Sequence, residues 1–302
     1  MQKGAIGAGR TFRILGEAMK ISQGFYYILP ALMLFQSCAS SSAKTADRAS
    51  SNQLSAYERK EMEIGRQIHA QVLSSFYLYT EPHLVEYVNR LGARMAQYAE
   101  RRNLNYQFTV ILDEKIFATS APGGYVYVTT GLLDFLDNEA QLAAVLAHEI
   151  GQLQYRDPRF SNSRKAIEKL TVGGSIVGGF FGDIGMLAVL GLQAMDALTD
   201  EKSKEDRVDA ADIRAVQYLA AAGYDPECWT DVLYKMVRSQ KDNLVRMFDY
   251  YNARPISEKR LQKLRKDLRK MDFRGKTLET RSSEYRQETK GVRQIYAVSP
   301  VV

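Results

Sequence analysis

The sequence predicts an α+β fold, mainly helical, with a small antiparallel sheet. Three observations carry that prediction. Apolar residues recur at three- and four-residue spacing over several long stretches, the period of helices packed on one face. Between the second and third of these stretches the period falls to two, in two short runs rich in β-branched and aromatic residues. The turn residues Pro122-Gly123-Gly124 lie between those runs.

The elements follow in order. Helical pattern begins near Ser55, and in YERKEMEIGRQIHAQVLSSF the residues Met62, Ile64, Ile68 and Val72 share roughly one face. A second helix is expected in EPHLVEYVNRLGARMAQYAE, with Leu84, Val88, Leu91 and Met95 at helical spacing. YQFTVILDE then alternates as a strand, and YVYVTT alternates as another after the glycine turn. From Asn138 the pattern is helical again in NEAQLAAVLAHEIGQLQYRD, with Leu142, Val145 and Leu146 apolar. Residues 172–190, VGGSIVGGFFGDIGMLAVL, approach the length of a membrane span, but Asp183 sits in the middle and the glycines weaken a helix. Burial against the preceding helix is the simpler expectation, and a membrane-inserted hairpin is the alternative. Further helices are expected in DRVDAADIRAVQYLAAAG, ECWTDVLYKMV and SEKRLQKLRKDLRK, the last a basic amphipathic helix whose charges read as a solvated face. From Met271 the sequence is polar without a clear period.

Composition narrows the function classes. The 302 residues are 45% hydrophobic and 25% charged, an ordinary globular balance. A formal net charge of +6 suits an anionic membrane surface or an acidic partner and is too mild to imply nucleic acid, for which no binding signature occurs. The two cysteines keep different company: Cys228 reads as a small core residue, whereas Cys38 ends the run MKISQGFYYILPALMLFQSC. That run has a basic start, a short apolar stretch and a small residue before the cysteine, the shape of an export signal that ends at a lipidation site. Cys38 is thus the expected lipid-bearing N-terminus, with Phe35 and Gln36 unusual neighbours for such a motif; ordinary cleavage and an uncleaved anchor are the alternatives. Residues 1–38 form this leader, with Met19 an alternative start, and 39–56 a Ser/Ala-rich tether. A folded domain over 57–270 and a tail over 271–302 complete the expected organisation. This reading places the protein in a bacterial cell envelope, facing the periplasm and anchored by lipid, more naturally at the outer membrane than the inner.

The stretch LAHEIGQLQYRD carries the chemistry. In the H-E-x-x-H pattern two histidines one helical turn apart bind zinc, and the intervening glutamate acts as general base. His148 and Glu149 fit that pattern, but Gln152 stands at the second histidine position.

The surroundings resemble the CAAX prenyl-endopeptidase and HtpX-like zinc metallopeptidases, in particular their periplasmic lipoprotein branch. The resemblance rests on FATSAPGGYVYVTTGLL, NEAQLAAVLAHEIGQ, DAADIRAVQYLAAAGYDP and RPISEKRLQKL, which occur in the family's order over roughly 58–268. It implies a zincin-like domain, with zinc as the cofactor, His148 as first metal ligand, Gln152 in place of the second and Glu149 as catalytic base. Asp212 would orient His148, and Val208 would occupy the position of a third, glutamate ligand. Phe117 and Arg254 likewise stand where the family carries asparagine and histidine. Asp209 and Glu205 are the carboxylates nearest the missing ligand, and His69 and His83 read as surface or helix-end residues. Gly124, Tyr125, Val126 and Tyr127 are the expected substrate-binding residues, on the supposition that strand Tyr125–Thr129 has a free edge for an extended client. Three functional readings remain open: an envelope lipoprotein with a degraded zinc site and a retained cleft for protein or peptide clients, an active zinc endopeptidase acting on envelope proteins, and a structural lipoprotein serving an assembly interface.

Overall fold

Asn138 fixes the start of the central element by accepting a hydrogen bond from the Gln141 backbone, so that the chain enters helix α4 (Glu139–Leu153). All residues of that helix are buried. It therefore forms the middle of the core rather than one of its walls. In the computed structural model, residues 56–154, 171–172, 175–176, 203–241, 256–274 and 277–298 are described.

The described residues begin with two helices, α1 (Ala56–Ser75) and α2 (Pro82–Ala96). The Glu81 carboxylate accepts from the backbone N–H groups of His83 and Leu84, and Pro82 occupies the first turn, two features that start α2. Strands β1 (Gln107–Ile111), β2 (Ala118–Ala121) and β3 (Tyr125–Thr129) follow, then the short helix α3 (Thr130–Phe135). Beyond α4 lie the two-residue strands β4 (Thr171–Val172) and β5 (Ser175–Ile176), which pair antiparallel. The remaining helices are α5 (Ser203–Ala221), α6 (Glu227–Lys241), α7 (Glu258–Leu268), α8 (Ser282–Glu288) and α9 (Lys290–Val298).

The main sheet departs from the expected one. Its order is β1-β3-β2, with β2 antiparallel to β3 but β1 parallel to β3, so the sheet is mixed rather than antiparallel. The Pro122-Gly123-Gly124 turn joins β3 to β2, not to β1. Ala-Thr-Ser-Ala offers no apolar alternation, and the sequence pattern alone passes over it as a strand. Tyr125–Thr129 is consequently the central strand and has no free edge. The free edge on which substrate binding at Gly124, Tyr125, Val126 and Tyr127 was expected is therefore absent from this sheet.

Alternation along β3 sends its side chains to two different layers. On one face, Tyr125 stacks on His69 of α1 at 4.4 Å and Tyr127 places its hydroxyl 3.1 Å from His69 Nδ1. On the other face Phe108 of β1 packs against Gly92 of α2, and Ser120 of β2 reaches α4. The sheet thus separates α1 from the helices that carry the motif.

Helix α5 lies closest to α4. A Cβ placed on Gly151 would come within 3.1 Å of Ala211 Cα, so the absent side chain is what permits the approach. The segment 277–298 also joins the core, although its sequence shows no period. Thr280 O accepts from the Ala140 N–H in the first turn of α4, and Tyr285, fully buried, donates to Leu133 O at 2.5 Å.

The leader with Cys38, the tether as far as Ser55, Arg254 and all but three residues of 172–190 lie outside the described residues, so the alternatives for those segments stand as expectations. Among the described residues no helix is long and apolar enough to cross a membrane.

Candidate functional site

His148 and Glu149 sit in the last two turns of α4, both nearly buried. Asp212 of α5 faces His148, with Oδ1 2.9 Å from Nδ1. The ring N–H is not aimed squarely at that oxygen, because the same oxygen already accepts from Trp229 Nε1 at 3.0 Å and Arg260 Nη2 at 2.7 Å. Arg260 Nε also donates to Oδ2 at 2.8 Å, making the pair bidentate. The indole of Trp229 stacks on the imidazole with ring centroids 4.8 Å apart. His148 is therefore held on one side by a carboxylate and on one face by a ring.

Burial alone would raise the Asp212 carboxyl. The Arg260 charge and hydrogen bonds, with His148, more than offset that and hold it well below the usual carboxylate range. Glu149 behaves oppositely. Its burial raises it, and His148, Ser120, Arg260 and Arg207 offset only part of that effect.

Gln152 lies one turn after His148 on the same face. Its Nε2 is 3.3 Å from His148 Nε2 and donates to Glu149 Oε2 at 3.3 Å. Ser120 Oγ donates to the same glutamate oxygen at 2.9 Å. With the imidazole proton on Nδ1, facing Asp212, Nε2 is left to accept from the amide. The amide nitrogen thus spans the histidine and the glutamate.

The described donor set does not fit the zinc that the motif implies. A catalytic zinc takes three protein ligands, and here one imidazole is followed by an amide that points its nitrogen inward. Val208, one turn before Asp212 on α5, offers only hydrocarbon. Asp209 is ion-paired with Lys263 of α7. The side chain of Glu205 lies outside the described residues. Among the described residues no three His, Cys, Asp or Glu side chains converge to hold a metal.

The other histidines stand elsewhere. His69 is partly exposed and lies across the sheet from His148, packed against Tyr125 and Tyr127. His83 is exposed at the start of α2 and pairs with Glu288 of α8 at 2.8 Å. Phe117 is fully buried.

The sequence does not single out Ser120, Trp229, Arg260 or Arg207. The single tryptophan of the chain and an arginine beside the apolar residues Leu261 and Leu264 were the available signals for two of them. Nothing in SKEDRVDAAD marks Arg207 among its charged neighbours.

The beta-barrel assembly-enhancing proteases of Escherichia coli (strain K12) and Yersinia pestis are each 29% identical to the chain over 188 residues, 59% of its length, and the matched part is 38% and 37% of theirs. A putative beta-barrel assembly-enhancing protease of Vibrio cholerae is 37% identical over 76 residues, 25% of this chain and 16% of its own. The chain spans well under half the length of these curated relatives. Residues 82–268, more than half of the chain, match the profile of Peptidase family M48, and the chain belongs to that family.

Proposed function

We propose that this protein is a lipid-anchored member of the cell envelope that has lost its zinc and uses the peptidase cleft to hold client segments without cutting them. The observation that carries this reading is the Gln152 amide, which bonds to both His148 and Glu149 at 3.3 Å. That side chain ties the two groups that a peptidase would turn toward a metal and its water. The client class follows from the relatives, whose name ties them to β-barrel assembly. An extended strand of a β-barrel protein before closure is the corresponding ligand. In the sheet, β2 is the outer strand next to the motif helix, and Ser120 on it bonds Glu149, so the cleft of this reading borders β2 rather than β3.

Retained hydrolysis is the competing reading, favoured by the Asp212–His148 contact, since zinc-bound histidines commonly carry such a carboxylate. One experiment decides between them. Purified protein expressed with added zinc should contain far less than one zinc per chain and should leave casein intact. Stoichiometric zinc, or cleavage that a chelator abolishes, would overturn the proposal.

A further inference from the structure

Helix α7 buries Leu261, Leu264 and Leu268 and turns Lys259, Lys266 and Arg269 to the opposite side, all three exposed. Residues three and seven apart share a helical face, so these cations form one stripe along the helix. Among the described residues none of the three makes an ion pair or a side-chain hydrogen bond, whereas their neighbours Lys263 and Lys270 are taken by Asp209 and Asp267.

The stripe continues onto α6. Arg265, one turn before Arg269, places its guanidinium 5.7 Å from the ring centroid of Tyr234, and Arg238 lies 6.0 Å from the same centroid. That ring is a large side chain left 41% exposed. Asp231 feels the charge of Arg265, but among the described residues neither Arg265 nor Arg238 forms an ion pair. A surface tyrosine beside two guanidinium groups matches the chemistry of a bilayer interface, where an amphipathic ring sits at headgroup level and cations meet phosphates.

We propose that this face docks on an anionic lipid bilayer: Lys259, Lys266, Arg269, Arg265 and Arg238 meet the headgroup phosphates, and the Tyr234 ring enters the interface beside them. Charge complementarity carries the choice of partner, and shape narrows it. The cations of α7 stand on the outward face of a helix, which suits a surface of many headgroups better than one extended acidic peptide. The cavity between α5 and α7 offers such a peptide no free cation, because Arg260 and Lys263 there are paired with Asp212 and Asp209. The inference goes beyond the proposed function and stands on α6 and α7 alone, whatever the fate of zinc or client. For a chain that carries a lipid, the basic face supplies a second signal of the kind that stable membrane attachment takes.

Vesicle flotation tests the proposal, with the full chain carrying Cys38→Ser so that no lipid is attached there. Vesicles of phosphatidylcholine alone give the baseline that apolar segments contribute, and equimolar phosphatidylcholine and phosphatidylglycerol supply the anionic surface. Binding to the anionic vesicles should be at least about tenfold tighter, and salt at about 0.5 M should remove the difference. The triple variant Lys259→Gln, Lys266→Gln, Arg269→Gln should bind anionic vesicles about a hundredfold more weakly and neutral ones unchanged. These side chains are exposed, so its thermal melt should match that of the parent. Removing the same charge from exposed sites elsewhere, by Arg66→Gln, Arg102→Gln and Lys290→Gln, should leave most of the binding in place. Equal binding to the two kinds of vesicle, or equal losses in the two triple variants, would overturn the proposal. Tighter binding of a polyglutamate peptide than of anionic vesicles would assign the face to an acidic protein and overturn it as well. Zinc content and casein cleavage enter none of these outcomes, so this inference and the proposed function fail separately.

Discussion

Arg260 grips Asp212 with two nitrogens, Nε to Oδ2 at 2.8 Å and Nη2 to Oδ1 at 2.7 Å. The carboxylate so held is 3% exposed and forms the floor against which His148 rests. Asp212→Asn would leave a guanidinium without its counter-charge and should destabilise the fold by about 3–5 kcal/mol, read as a fall in Tm or denaturant midpoint. The carboxyl is held below its ordinary range, so its stabilisation is present at neutral pH, above the unfolded value, and is lost as pH falls through the folded one. The acid limb of the stability curve should therefore be shallower in Asp212→Asn than in the natural protein.

Removal of metal provides the simplest check on the site. A ligand that binds only the folded state raises Tm by mass action. Melts with and without a strong zinc chelator should coincide, since the described donors at positions 148, 152 and 208 number one imidazole, one amide and no carboxylate. A fall of several degrees with chelator would mean a bound metal.

Gly124 has φ +102°, and a Cβ built there would lie 2.9 Å from Asn105 O. Both the backbone region and the space exclude a side chain. Gly124→Ala should cost about 1–3 kcal/mol in denaturant unfolding, the usual magnitude for such strain. No measurable change would mean that the β2–β3 turn relaxes.

Tyr285 tests whether the C-terminal segment belongs to the domain. The ring is fully buried and its hydroxyl donates to Leu133 O. Tyr285→Phe leaves that carbonyl without this donor and should cost about 1–3 kcal/mol. Tyr285→Ala should cost about 3–5 kcal/mol through the cavity. Small, equal effects would place the segment outside the cooperative unit.

Cys228 is 2% exposed, and burial pushes its thiol up to about 12, with nearby Asp225, Asp231 and Glu227 adding to the shift. The thiolate is the reactive form. In a Cys38→Ser variant, labelling of Cys228 with a water-soluble disulfide reagent at pH 8 should be negligible in the folded protein and rapid in denaturant. A raised thiol pKa stabilises the fold below the unfolded value and that contribution disappears as pH climbs toward 12. Prompt labelling of folded protein would contradict the burial.

The sequence by itself marked helices α1, α2, α4, α5, α6 and α7 and set the His-Glu pair on one of them. Apolar period marks α1, α2 and α4 because each buries one face or more, and burial leaves a periodic trace in the residues. Val208 and Gln152 were legible as departures, since their positions count along one helix from His148 and Asp212. Tertiary structure alone decided the rest. Strand β2 carries small polar residues whose pairing is made by backbone hydrogen bonds, which leave no pattern in side chains, and its insertion turned an antiparallel pair into a mixed sheet. That order also took the edge from β3 and put it beside Glu149 through Ser120. The partners of Asp212 come from α6 and α7, 17 and 48 residues away, and no local period registers so distant a contact. Arg207 reads as one charge in a charged run until packing shows it 1% exposed, because burial belongs to the neighbours that surround a side chain and not to the side chain itself.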